Sequence, residues 1–193
     1  MAQEILDVLV ERNFSSGVNG GIRLADLDIE PYEIKPDHQV KSLRLNPNGF
    51  IGGPSKELKD VCQSVVEEAI RQGYDSRIFT GIYEAVLNAY QHGNNKDPNK
   101  PVTIAFKLSD TQLDVVVIDK GGYLDNNFIK FALQHREGKH KEHFLNFYSV
   151  FGIPNPPGNN GTGTSFIYTY FDRVEYYKYE PGGLAVKLTK FRK

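Results

Sequence analysis

A chain of 193 residues, 39% hydrophobic and 24% charged, has enough apolar content for a packed core, as one domain with appendages or two small ones. Its net charge of −1 offers no global attraction for nucleic acid or an anionic membrane surface. The lone Cys62 excludes an internal disulfide and suits a reducing, cytoplasmic setting. The start, Met1 to Asp7, is acidic and lacks the apolar centre of a secretory leader. The strongest apolar patch, Val115 to Ile118, is too short to span a bilayer.

Residues 1–38 read as an extension. Ile5, Leu6, Leu9 and Val10 suit one side of a short helix, and Ser15 to Gly21 has the composition of a flexible segment. Ile22, Leu24, Leu27 and Ile29 then predict extended chain, interrupted by Pro31 and Pro36. The extension packs either on the rest of the chain or on a second copy.

Residues 39–193 read as the main domain. A strand is predicted over Val40–Leu45, with Val40, Ser42 and Arg44 on one face. Ser55 caps a helix to about Gln72 whose apolar stripe is Leu58, Val61, Cys62, Val65 and Ala69, with Gly73 as its stop. A second helix runs from about Ser76 to His92 on an apolar stripe of Ile78, Ile82, Ala85, Val86 and Ala89. Strands Val102–Leu108 and Gln112–Asp119 flank Ser109-Asp110-Thr111, a short hairpin turn. After a long irregular stretch, in which 126–133 has helical character, a helix is expected over Thr164–Phe171. Arg173–Tyr179 and Leu184–Lys190 close the chain as a hairpin. Hairpin-paired strands with helices in adjacent blocks predict an α+β fold, a two-layer sandwich of a mixed or antiparallel sheet and helices.

Three motifs carry chemistry. Glu84, Asn88 and His92 stand at i, i+4 and i+8, so a helix stacks them on one stripe, a carboxylate for general-base work beside a carboxamide able to hold a metal. The same spacing also suits an ordinary amphipathic helix. The strand ending in Asp119-Lys-Gly121-Gly122 puts a hydrogen-bond acceptor where glycines let a ligand approach, although Asp and Gly are also common turn residues. Gly158-Asn-Asn-Gly161-Thr162-Gly163 precedes a helix, where backbone amides and the helix dipole favour phosphate, with Thr162, Thr164 and Ser165 as further hydroxyl donors.

Together and in this order, the motifs resemble the Bergerat-fold (GHKL) histidine-kinase-like ATPase superfamily, and most of all the anti-sigma-factor serine/threonine kinases. Their Glu-Ala-x-x-Asn-Ala-x-x-His-Gly stands here as Glu84-Ala85, Asn88-Ala89 and His92-Gly93. Their terminal strand has a counterpart in Gly183-Leu184 to Leu188-Thr189-Lys190. The resemblance spans roughly residues 40–193. It implies that ATP and Mg²⁺ bind, with Glu84 as the catalytic base, Asn88 holding the metal and Asp119 accepting the adenine amino group. Gly121 would allow close approach, Gly161, Thr162 and Gly163 would cradle phosphate, and residues 123–160 would form a mobile lid. A regulatory protein partner is implied, and dimers are common in the resembled family.

This sequence departs from the pattern in three places. Tyr123 stands where the second glycine of Asp-x-Gly-x-Gly belongs. Leu184 replaces the usual Thr, leaving Thr189 or a water to supply a hydrogen bond near adenine. The lid is also longer, and carries His135, Arg136, Lys139, His140, Lys141 and His143. These suggest a solvated charged lid, a cation reaching the terminal phosphate, or a zinc site. An ATPase cycle without a phospho-acceptor, and a silent nucleotide- or partner-binding module, are the alternatives to a kinase. The aromatic run from Phe166 to Tyr179 reads as core packing, and His92 as a residue that orients the helix end.

Overall fold

The structure, a computed structural model, describes residues 2–12, 20–45, 55–140, 144–156, 159–180 and 182–192. Most of the segment 15–21 lies outside them, as do Lys141, His143 and Pro181 of the turn before the last strand.

Among the described residues, five strands form one sheet in the order β2-β3-β4-β7-β6, namely β2 (Gln39–Leu43), β3 (Val102–Leu108), β4 (Gln112–Ile118), β7 (Gly183–Phe191) and β6 (Arg173–Tyr179). Every pairing is antiparallel, which settles the choice between a mixed and an antiparallel sheet. The β3–β4 hairpin closes at Leu108 and Leu113, with the Ser109 amide donating to the Gln112 carbonyl at 2.9 Å. Alternation along β4 sends Leu113, Val115 and Val117 to one face and Val116 and Ile118 to the other.

The first face carries the helices. α2 (Lys56–Arg71) buries Leu58, Cys62, Val65, Val66 and Ala69, so Val66 is fully buried and Val61 only partly. α3 (Ile78–Asn88) buries Ile78, Ile82, Ala85 and Val86, and α6 (Gly163–Tyr170) adds Ile167. On the opposite face, Tyr32 and Ile34 of the extension cover Ala105, Val116, Ile118 and Ala185.

The extension therefore packs on its own chain. Its helix α1 (Ile5–Glu11) buries Ile5, Leu6, Val8 and Leu9, whereas Val10 is 55% exposed and not part of the buried stripe. Leu24, Leu27 and Ile29 follow it inward, and together they form a second core with Tyr176 and Leu184. Each fully buried Leu or Ile there contributes about 1.5–3 kcal/mol, enough to make the extension an integral layer.

The segment 123–160 is not an irregular loop. β5 (Tyr123–Asp125) pairs with β1 (Gly21–Arg23) of the extension as a separate antiparallel ribbon. α4 (Asn126–Arg136) starts on Asp125, whose carboxylate accepts from the Asn127 and Phe128 amides. α5 (Phe147–Phe151) is capped by Asn146 in the same way.

Candidate functional site

α3 carries Glu84 and Asn88 one turn apart, both half-buried beside its apolar stripe. Beyond Asn88 the helix widens into a π-turn over Ala89–Gly93. His92 lies within that turn and is exposed. The helix end is oriented by Asn94 instead. Its amide donates to the Ala89 carbonyl at 2.7 Å. Its buried side chain donates to the carbonyls of Lys100 (2.9 Å) and Pro101 (3.2 Å) and accepts from the Lys120 amide at 2.8 Å. One side chain thus ties the end of α3 to the loop that follows Asp119. The sequence offers only an Asn after Gly93, a common place for a chain reversal, and its burial and partners appear only in the fold.

The start of α6 meets α3 at Gly163. A Cβ at that position would stand 2.5 Å from Glu84 Oε2 and 3.7 Å from Asn88 Oδ1, so glycine brings the backbone up to the carboxylate with no side chain between them. Thr162 makes no side-chain cap, which leaves the first amides of α6 free of one. Burial raises the Glu84 pKa, with no cation or donor among the described residues offsetting it. A carboxylate and a carboxamide oxygen at a cradle that a Cβ would fill are hard oxygen donors of the kind Mg²⁺ takes.

The loop before α6 satisfies itself. Asn159 accepts from the Gly161 amide at 2.8 Å, and Asn160 from the Thr162 amide at 3.3 Å and hydroxyl at 2.9 Å. Ser165 is buried and donates its hydroxyl to the Leu145 carbonyl at 2.8 Å, so it is not a free donor. The start of α5 holds this loop: the Phe147 amide donates to the Gly161 carbonyl at 2.8 Å and Asn146 Nδ2 to the Asn160 carbonyl at 2.5 Å.

Asp119 sits at the end of β4, 3% exposed. Its Oδ1 accepts from the amides of Gly121 (2.8 Å) and Leu184 (3.4 Å). Burial nonetheless pushes its pKa up to about 6. Gly93 lies against the other carboxylate oxygen, and Gly121 lies against the Gly93 carbonyl. A side chain at either would overlap its neighbour. The close approach at Gly121 is therefore made by the end of the π-turn. Thr189 does not stand in for the missing threonine, because its hydroxyl donates to Asp114 at 2.7 Å, further along β7. Leu184 supplies its backbone amide to Asp119 and its side chain to the second core.

The described charged residues between 135 and 140 point elsewhere. Arg136 pairs with Glu4 (3.0 Å) and Asp7 of α1, and Lys139 with Glu137 at 2.5 Å. His135 stacks on Tyr168 at 4.5 Å between ring centroids and lies 4.4 Å from His140, and burial pulls its pKa down to about 4. These two rings belong to an aromatic cluster rather than a solvated face. Among the described residues, no group of three or more His, Cys, Asp or Glu could hold a metal, and no helix is long and apolar enough to cross a membrane.

The family model described as "Histidine kinase-like ATPase domain" matches residues 52–190, more than half of the chain. No curated relative matches it.

Proposed function

Because the chain belongs to the family of histidine kinase-like ATPase domains, we propose that it binds Mg-ATP and transfers the γ-phosphoryl group to a serine or threonine of a regulatory protein partner, as an anti-sigma-factor kinase does. One observation carries this reading: the Glu84 carboxylate faces the uncapped start of α6 with only the side-chain-free Gly163 between them.

In this scheme Asp119 accepts the adenine amino group, and Gly121 keeps the base site narrow. Gly163 would offer its amide to the phosphates at the start of α6, where the helix dipole adds positive potential, and Gly161 and Thr162 would join it by exchanging Asn159 and Asn160 for phosphate oxygens. Asn88 would hold Mg²⁺, which would supply charge to offset the phosphates. Glu84 takes the proton from the partner's hydroxyl as its oxygen bonds to the γ-phosphorus and the bond to the β–γ bridging oxygen breaks, leaving ADP. Burial that raises the Glu84 pKa makes it a better proton acceptor than an exposed carboxylate.

Calorimetric titration with ATP and ADP, with and without Mg²⁺, tests the site. Magnesium-dependent binding that weakens in Asp119→Asn is expected, and no binding at millimolar nucleotide would overturn the reading. Steady phosphate release without a protein substrate would replace the kinase with an ATPase. A silent binding module has its own support in Asn159 and Asn160, which already occupy the amides of the glycine loop. Nucleotide binding without turnover would favour it.

A further inference from the structure

The departure at Tyr123 and the extension explain one another. β1 and β5 pair with Gly21 opposite Asp125, Ile22 opposite Leu124 and Arg23 opposite Tyr123. The ladder continues past both ends, through the Leu24 amide to the Gly122 carbonyl (2.8 Å) and the Asn126 amide to the Gly20 carbonyl (3.3 Å). The Tyr123 ring lies across the glycine pair of the extension. A Cβ on Gly21 would sit 2.5 Å from the Tyr123 hydroxyl and would overlap the Leu124 carbonyl. The residue that replaces the family's glycine has thus become part of the seam with the extension.

A second attachment lies one helix away. The Glu4 side chain is 9% exposed and accepts from the Tyr176 amide of the edge strand β6 at 2.8 Å, from the Asp7 amide at 2.9 Å, and from Arg136 at 3.0 Å. Arg136 is the last residue of α4 and also pairs with Asp7. Between the two attachments, Leu124, Ile129 and Ala132 pack into the second core beside Ile5, Leu6 and Leu24. A two-stranded ribbon is marginal alone, so this core and the Glu4 junction are what keep it paired.

We propose that residues 2–12 and 20–34 form a strap that holds the first half of the lid segment, 123–136, and thereby sets the rate at which nucleotide enters and leaves. The rate claim rests on the Mg-ATP reading above. The restraint itself does not. β5 begins four residues after Asp119 and shares the Gly122 carbonyl with the strap, so the base site and strap move together or not at all. Lid opening commonly limits nucleotide exchange, and here opening requires unzipping β1 from β5.

The test uses the full chain as wild type, as Gly21→Val, which drives a side chain into the Leu124 carbonyl and the Tyr123 ring, and as Tyr123→Gly, a gentler change at a residue that is 49% exposed. Amide hydrogen exchange over 123–136 reads the restraint, and stopped-flow with a fluorescent ATP analogue reads the rates. Faster exchange in that segment should accompany association and dissociation rates raised roughly tenfold in Gly21→Val, with a smaller rise in Tyr123→Gly, a tenfold change being about 1.4 kcal/mol on the barrier. If Gly21→Val does not fold, Tyr123→Gly decides by the same two readouts. Unchanged hydrogen exchange would show that the extension does not hold the lid. Faster hydrogen exchange with unchanged nucleotide rates would overturn the strap while leaving the nucleotide site standing. No analogue signal from the wild type would overturn the Mg-ATP reading and the rate claim together, and hydrogen exchange would then report on the restraint alone.

Discussion

Asp119→Asn changes a charge without changing a shape, and the structure assigns it a sign and a size. The carboxyl is 3% exposed, and burial moves its pKa from an ordinary 3.8 to about 6 against the pull of two amides. The folded state therefore holds this proton more tightly than the unfolded chain. Its contribution to stability is complete below about pH 4 and is lost as the pH rises through about 6. At about 1.4 kcal/mol per pKa unit, ionised Asp119 costs the fold about 3 kcal/mol at pH 8. Asparagine keeps an oxygen for the Gly121 and Leu184 amides and carries no charge to desolvate. The variant should gain on the wild type by about 2 kcal/mol between pH 4 and pH 8, whatever constant offset the new amide brings. Urea melts of both proteins across that range measure it. Glu4 and Glu84, also raised by burial, are present in both chains and cancel in the difference. Parallel stability curves would refute the reasoning, because they would mean that the buried carboxyl does not titrate between pH 4 and pH 8. The same substitution should weaken ATP binding, so the ionised carboxylate would lower stability while serving the site.

The remaining expectations are more compact. Asn94→Ala strands the Lys120 amide and the carbonyls of Lys100 and Pro101, and should cost about 2–4 kcal/mol in a urea melt; a loss under about 1 kcal/mol would show that the staple is replaceable. Glu84→Gln should bind ATP within about threefold of the wild type but lose turnover by roughly 100-fold or more, and unchanged turnover would remove Glu84 as the base. Gly163→Ala places a methyl 2.5 Å from the Glu84 carboxylate and should weaken Mg-ATP binding, readable by the same calorimetry. Cys62 is fully buried with its thiol pushed up to about 12, so a thiol reagent at pH 8 should label it only as fast as the chain unfolds.

Much of the frame was legible along the chain, for a local reason. Strands β3, β4, β6 and β7 and helices α2 and α3 lie within a few residues of their expected bounds, because hydrophobic period and capping residues act over neighbours in sequence. Val10 shows the limit of that logic. Helical spacing put Val10 on the apolar side, and the position of the second core buried Val8 in its place. The π-turn after Asn88 left no mark on the amphipathic pattern, and only the folded chain shows that the helix widens there.

The amino-acid sequence by itself determined the α+β class, the core of the helical layer and the order of the three motifs, since each depends on residues close together in the chain. Tertiary structure alone decided where Arg136 points, that Thr189 serves Asp114, that Asn94 joins α3 to the Asp119 loop, and that Tyr123 seals against Gly21. Those partners stand up to 132 residues apart. No periodicity relates them, and their choice waits until burial has removed competing water and fixed which donors and acceptors face each other.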